Sequence, residues 1–406
     1  MSSSVKALHG VRVLDMSRVL AAPLAAQTLA DLGAEVIKIE RPGSGDESRT
    51  YGPPFLKDRD GQSTGIAAFY LACNRGKKSV TVDHSMPEGQ EILRQLAAQS
   101  DVVLENFRAG ALQKYGLDHA SLRELNPRLV YCSITGYGQD GPYAKRPGYD
   151  GVFQAMGGLM SANGHPEEPM KVGISMVDVL TSLHAAIAIL AALRHRDHVS
   201  GEGQHIDLSL LDCGVASLSH FAMNYLVSGE VPQRRGNGGY GGVPSQAFRC
   251  SDGKVFVTAG NNKQFAALCR ALGCPGLSED PRFDKTAQRV INRDLLLPLL
   301  DEAFAALSVA ECLQRLDAAD VPAGPVNELP GVFANPQVRH RGMLVETDHP
   351  LAGTIQLLRS PLRLSETPVT DYAAPPLLGQ HTREVLAERL GLNSERLDAL
   401  AAAHVI

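Results

Sequence analysis

Residues 10–40 read GVRVLDMSRVLAAPLAAQTLADLGAEVIKIE, and this stretch decides the fold. Gly10 to Met16 is an apolar run of strand length. A short loop, Ser17 to Ala22, follows it. Pro23 suits the start of a helix because its fixed φ is helical and its missing N–H is not needed there. LAAQTLADL has helical periodicity and is closed by Gly33, and Glu35 to Glu40 is a second strand. Together these make a β-α-β unit. The alternation continues with KKSVTV (77–82), PEGQEILRQLAAQ (87–99), DVVLEN (101–106) and LVYCSIT (129–135). Strands alternating with helices predict a Rossmann-like, doubly wound parallel α/β sheet, whose ligands bind at the carboxyl ends of the strands.

A dinucleotide is the first ligand to test against that crevice. Glu40 ends the second strand, where a ribose-binding acid belongs. The first loop, however, is SRVLAAP, with no glycine to let a pyrophosphate approach the backbone, so NAD and FAD are not expected. Arg18 and Arg41 follow strand ends and carry the planar fork of donors that suits phosphate. Solvated surface arginines are the plainer reading.

Further along, TGYGQDGPYAKRPGYD (135–150) is an aperiodic loop, long enough to suggest function. EVPQRRGNGGYGG (230–242) holds five glycines and two arginines. It reads as an interdomain connection, a mobile lid or a plain linker. SQAFRCSDGKVFVTAG (245–260) is a strand-turn-strand with Asp-Gly at the turn, followed by helices from Asn262 to Ala319. HPLAGTIQLLRSPLRLS (349–365) reads as paired strands, and PPLLGQHTREVLAERLG (375–391) as a loop into a helix. The expected organisation is a large domain over 1–228, a small α+β domain over 229–325 that includes the glycine-rich loop 236–242, and a return segment over 326–406.

Composition narrows the function classes. The chain has 406 residues, 44% hydrophobic and 20% charged, an ordinary globular balance. Lys+Arg 39 against Asp+Glu 44 gives a net charge of -5, which supports no nucleic-acid or polybasic membrane role. The seven cysteines are scattered without a CxxC pair, so neither a zinc site nor a disulfide framework is indicated, and a cytoplasmic setting is expected. The segment MSSSVKALHG lacks the apolar core of a signal peptide. The longest apolar run, Ala185 to Leu193, is shorter than the roughly 20 residues of a membrane span. None of the 13 histidines falls in an HxxxH or HExxH pattern, and neither GxSxG nor GxxxxGK[ST] occurs, so no metal is expected.

The stretch MKVGISMVD (170–178) leads into VLTSLHAAIAILAALR (179–194), a buried-helix pattern. Asp178 stands where the helix should begin. Capping is its plain reading, because an Asp there accepts the first orphan N–H groups. The sharper reading is a nucleophilic carboxylate.

The order of segments resembles the family III CoA-transferases, the group that includes formyl-CoA transferase and carnitine CoA-transferase. The resemblance covers nearly the whole chain. It is carried by LDMSRVLAAPLAAQTLADLGAEVIKIERPGSGDESR, NRGKKSVTVD, DVVLENFRAGAL, SITGYGQDGP, GISMVDVLTSLHAAIAILAAL, GEGQHIDLSLLD and PPLLGQHT. It implies that Asp178 attacks an acyl-CoA thioester, giving an aspartyl anhydride and then an aspartyl-CoA thioester. It implies that Gly238, Gly239, Tyr240, Gly241 and Gly242 form a loop over that Asp, with Gly241 and Gly242 catalytic, and that Tyr149 is an active-site residue. Coenzyme A would be met by Arg18, Val19, Ala21, Arg41, Asn106, Phe107, Ala111 and Lys114. Arg18 replaces a His of formyl-CoA transferase. The same family contains alpha-methylacyl-CoA racemase, which carries Gly-His-Asp where this chain has Gly148-Tyr149-Asp150. A tyrosine, with an ordinary pKa near ~10, is a poor base for an α-proton, so transfer is preferred over racemisation. A non-catalytic acyl-CoA-binding protein is the alternative outside catalysis.

Several stretches, among them GYDGVFQAMGGLM, VPSQAF and AGNNKQF, look closest to the succinyl-CoA:glutarate type. The expected reaction moves CoA from succinyl-CoA to a short dicarboxylate: glutarate, itaconate, succinate or malate. Arg146, Arg234, Arg235 and Tyr240 are candidates for binding that substrate. The family also implies an interlocked homodimer.

Overall fold

The computed structural model describes residues 5–239 and 241–406. Compactness divides the chain into two units. The first comprises Met1–Leu159, Val172–Ala222 and Arg341–Ile406, and the second Met160–Lys171 and Met223–His340.

The first unit is built on six parallel strands: β1 (Arg12–Asp15), β2 (Glu35–Glu40), β3 (Lys77–Thr81), β4 (Val102–Glu105), β5 (Val130–Thr135) and β6 (His205–Ser209). Their spatial order is β3-β2-β1-β4-β5-β6. The winding direction reverses between β1 and β4, which is where this topology opens a crevice. Successive strand residues point to opposite faces, and the core divides accordingly. Val13, Val36, Val102, Leu104, Val130 and Cys132 meet α1 (Ala21–Asp31) and the long helix Met176–His195 on one face. Leu14, Ile37, Ile39, Val80, Val103 and Tyr131 meet the helices Pro87–Ala98, His119–Leu125, Thr382–Leu390 and Ser394–Ala402 on the other. The sheet is therefore covered on both faces, as its near-continuous apolar strands require. The helix Met176–His195, designated α2, packs on the alanine-rich α1. Extended through Ser200, it is long and apolar enough by length and composition to cross a membrane. The short run Ala185–Leu193 understates this because polar residues at Thr181, Ser182 and His184 interrupt it in sequence but not in hydropathy.

Charge is buried along β1, β2 and β3. Lys77 Nζ contacts Asp15 Oδ2 at 2.8 Å, Pro23 O at 2.8 Å and Asn74 Oδ1 at 2.9 Å. Lys38 Nζ contacts Asp46 Oδ2 at 2.8 Å and Ser17 O at 2.9 Å. Glu40, placed where a ribose-binding acid would sit, is instead occupied by a two-point pair with Arg49 and by Ser79 Oγ. Burial works to raise the Asp15 carboxyl, yet Lys77 and Lys38 outweigh it and hold it below the ordinary value. Burial pulls the Lys77 ammonium down, against the support of Asp15.

Two segments depart from the sequence reading. Paired strands were expected over 349–365, but pairing joins Leu344–His349 to Gly353–Leu358. The turn lies at His349–Gly353, where Gly353 has φ 69°, so the hairpin starts earlier than the apolar run suggested. A further hairpin, Phe55–Lys57 with Ser63–Ala67, occupies a stretch without alternation.

The second unit holds an antiparallel sheet of Ser245–Arg249, Lys254–Thr258 and Ala323–Pro325. Phe248, Val255, Phe265, Phe283 and Phe304 fill its core. Arg289 is fully buried, and its guanidinium donates to the carbonyls of Val243 (2.8 Å), Phe283 (2.9 Å) and Gly260 (3.0 Å).

Removing one member of a buried ion pair leaves the other charge uncompensated. Asp15→Ala is therefore expected to lower unfolding free energy by about 3–5 kcal/mol, and Asp15→Leu with Lys77→Met by clearly less. Urea denaturation of the two variants checks this.

Candidate active site

The cleft at the carboxyl ends of β1, β4 and β5 contains about 250 Å³. Arg18, Val19 and Ala21, Asn106 and Phe107, and Arg146, Tyr149, Asp150 and Asp178 line it. The switch point is fastened by a reciprocal pair: Arg18 N donates to Asn106 Oδ1 at 2.9 Å, and Asn106 Nδ2 to Arg18 O at 2.7 Å. Val19 has φ 70°, a left-handed backbone unusual for a β-branched residue. It is held there by its N–H on Asp46 Oδ1 at 3.2 Å.

Asp178 is not the helix cap that its place in the sequence suggested. The helix begins at Met176, so Asp178 is its third residue, and Ser175 before it provides no side-chain cap. The capping carboxylate comes from elsewhere. Asp150 Oδ1 accepts from Val177 N at 2.8 Å and Asp178 N at 3.2 Å. Asp150 Oδ2 accepts from Gln154 Nε2 at 2.7 Å, and Gln154 Oε1 accepts from Val172 N at 2.7 Å. The orphan N–H groups of the first turn are thus satisfied without Asp178. Among the described residues, no side chain donates to the Asp178 carboxylate. Burial, and then the charge of Asp150, push it up to about 7.

Glycine is needed at 148. A Cβ there would lie 2.3 Å from Phe153 Cζ, so a larger residue would push Tyr149 and Asp150 off their helix start. Tyr149 is 67% exposed.

A second cavity of about 260 Å³ shares Arg18, Glu47 and Phe107 with the first. It is lined further by Arg41, Gly45, Asp46 and His84. Arg18 lies over the Phe107 ring at 5.0 Å and pairs with Glu47 at 2.5 Å. Asp178 in the cleft and Arg18 and Arg41 in the adjoining recess suit a long ligand with an electrophilic tip and an anionic tail.

Residues 8–382 match the family described as CoA-transferase family III. The chain belongs to that family. It is a CoA-transferase, and CoA thioesters are its substrates. It is 42% identical to a succinyl-CoA:glutarate CoA-transferase of Homo sapiens over 100% of this chain and 91% of that one. It is 43% identical to a succinate–glutarate CoA-transferase of Agrobacterium fabrum, over 94% of this chain and 95% of that one. A CAIB/BAIF family protein from Brucella suis superposes with TM-score 0.86 at 44% identity, covering 95% and 99% of the two chains.

Of the residues expected in the transferase's site, Asp178, Tyr149, Arg18, Val19, Ala21, Asn106, Phe107 and Arg146 line one cleft. Arg41 joins the adjoining cavity. Ala111 lines a separate recess with Glu105, Arg108, His119 and His205. Lys114 Nζ sits 4.6 Å from the Tyr115 ring centre and lines neither of the first two cavities. Arg234, Arg235 and the glycine-rich loop belong to the second unit. There Arg234 donates to the carbonyls of His165 (2.8 Å) and Pro166 (2.6 Å). Gly238 N donates to Arg235 O and Gly239 N to Ser245 O, so these two N–H groups are already used. Gly242 packs on Gly260, while a Cβ on Gly241 would meet open space. Tyr240 falls outside the described residues. Among the described residues, no group of three or more His, Cys, Asp or Glu is placed to hold a metal ion.

Sequence reasoning missed Gln154 and His84 and did not see the capping by Asp150. Asp150 was visible as an acid 28 positions before Asp178, but nothing local ties it to that helix.

The raised Asp178 carboxyl has a stability consequence. Its folded value lies above the ordinary 3.8, so the folded state holds the proton more tightly. Stability is favoured below about 3.8 and is lost as pH rises toward about 7. Asp178→Asn is therefore expected to gain stability over the parent as pH rises from 4.5 to 8, by about 1 kcal/mol after allowance for solvent screening. Urea midpoints at the two pH values check this; a pH-independent difference would contradict it.

Proposed function

We propose that the enzyme transfers CoA from succinyl-CoA to a short dicarboxylate, with glutarate the first acceptor to test, through covalent chemistry at Asp178. The observation that carries this is the hydrogen bonding of Asp150, which leaves the Asp178 carboxylate half-buried and unengaged by described donors. A carboxylate that caps its own helix is tied down; one capped by a neighbour can turn toward a carbonyl. The transfer runs through bonds that balance at each step. An Asp178 oxygen attacks the thioester carbonyl, the C–S bond breaks, and CoA leaves as thiolate with an aspartyl succinyl anhydride remaining. The thiolate attacks the Asp178 carbonyl, succinate departs, and an aspartyl-CoA thioester forms. The acceptor carboxylate repeats the sequence in reverse. Exclusion of water protects the anhydride during these steps.

The names of the relatives support the donor and the acceptor class. Itaconate, succinate and malate belong to the same chemical set, and discrimination among such acids by one methylene amounts to only ~1–3 kcal/mol. Arg146, exposed at the cleft and stacked on Tyr143 at 3.9 Å, is the cation proposed for the distal carboxylate. The CoA tail is assigned to the Arg18–Arg41 side. An interlocked homodimer is part of the proposal; exposed Leu183 and Ile187 on the outer face of α2 supply apolar surface for a partner.

Incubation with succinyl-CoA followed by hydroxylamine is expected to modify Asp178 alone, read by peptide mass spectrometry. Transfer to glutarate should fall at least about 1,000-fold in Asp178→Ala. Retained turnover would overturn the assignment. Because the nucleophile must be ionised, kcat/KM is expected to climb with pH through a limb near 7. A limb near the ordinary carboxylate value would contradict the raised Asp178 carboxyl.

A further inference from the structure

His84 follows β3 and lines the second cavity together with Arg18, Arg41, Glu40, Asp46 and Glu47. Its ring stands edge-to-face with Phe107 at 5.4 Å and with Tyr115 at 5.2 Å. These two contacts fix the plane of the imidazole, and neither uses its nitrogens. Among the described residues no hydrogen bond is made to either ring nitrogen. Asp83, the adjacent acid, is committed elsewhere: its Oδ1 accepts from Ser85 N at 2.9 Å and Ser85 Oγ at 2.6 Å. The result is a held imidazole with free nitrogens among cations.

We propose that His84 is a phosphate ligand of coenzyme A and that CoA binding loads a proton onto it. This rests on the reading that the CoA tail enters the Arg18–Arg41 side of the cleft.

The electrostatic argument takes each neighbour in turn. Burial disfavours the imidazolium; Asp83 favours it; Arg18, Arg41 and Lys114 disfavour it. Those three cations come from three different parts of the unit: the loop after β1, the loop after β2, and the turn Gln113–Tyr115. Glu40 is paired with Arg49, Asp46 with Lys38, and Glu47 with Arg18, so the acids of the cavity are already neutralised in part. Burial and these cations together hold the His84 imidazole below its ordinary value. A phosphate placed between Arg18 and Arg41 in this cavity reverses the sign of the local field. It also gives the imidazolium an acceptor for a charge-assisted hydrogen bond. Linkage then requires proton uptake on binding, and tighter binding as pH falls.

Titration calorimetry of CoA binding in buffers of different ionisation enthalpy tests this. Dephospho-CoA runs in parallel, because it lacks the phosphate monoester that itself titrates near ~6. The wild type is expected to take up roughly half a proton or more per CoA at pH 6.5, and to lose affinity several-fold between pH 6 and 8. His84→Phe keeps the ring contacts and removes the titrating group; its uptake should fall by the same amount and its pH dependence should flatten. Equal uptake in the two proteins would overturn the proposal. Histidine-labelled wild type, titrated by NMR with and without CoA, gives an answer that needs no variant: the His84 signal must titrate at higher pH when CoA is bound, and an unmoved titration overturns the proposal. Absence of CoA binding by the wild type would instead overturn the reading on which it rests. If dephospho-CoA reproduces the full shift, the ligand of His84 is the pyrophosphate; if the shift is lost, it is the 3′-phosphate.

Discussion

The hydrogen bonds from the Val177 and Asp178 N–H groups to Asp150 Oδ1 govern the character of the cleft. A helix start needs an acceptor, and an anion there is favoured by the helix dipole. The fold supplies that anion from the neighbouring helix Asp150–Met156, and holds it with Gln154. Two carboxylates therefore share one helix end in different roles. Asp150 is immobilised by donors, and Asp178 receives none from described residues. Burial raises the Asp178 carboxyl, and the nearby negative charge of Asp150 adds to the rise. Burial and this capping arrangement together leave a carboxylate that is more basic and free to turn.

The sheet prepares the opposite wall. Its order reverses between β1 and β4, and the Arg18–Asn106 backbone-to-amide pair spans that gap. Behind it, Lys38 and Lys77 reach buried acids and carbonyls. Such buried pairs add little net stability compared with well-packed apolar side chains, but they fix positions. Lys38, bonded to Ser17 O and Asp46, ties the loop after β1 to the loop after β2. Those two loops carry Arg18 and Arg41, so the cation spacing at the crevice is inherited from a buried network.

Much of this was legible in the sequence. The β-α-β reading of 10–40 led to the parallel sheet because apolar strands and an amphipathic helix have different periods. The glycine-free loop SRVLAAP argued against a dinucleotide on steric grounds. What local rules could not supply was long-range hydrogen bonding. Asp178 looked like a cap because capping is judged from neighbours in sequence, and Asp150 lies 28 residues away. Gln154 has no signature, since an amide bridging two segments resembles any helical glutamine. His84 gained meaning only when Arg18, Arg41 and Phe107 were brought around it by three different strands. The hairpin at 344–358 was displaced because strand pairing is set by where the turn can form as much as by the apolar run.

Val19 carries a consequence of another kind. Its left-handed backbone places a stiff, β-branched side chain on the cleft wall at a local conformational cost of order 1–3 kcal/mol. A glycine would relieve that cost, but it would enlarge the entropy of the unfolded chain, an effect of about 0.4–1 kcal/mol, and leave a gap in the wall. The opposed contributions offset each other in part. The site can therefore keep a wall with almost no conformational freedom, in either backbone or χ1, without a large sacrifice in global stability. Rigidity at this point is a local property of the loop, decoupled from how stable the enzyme is as a whole.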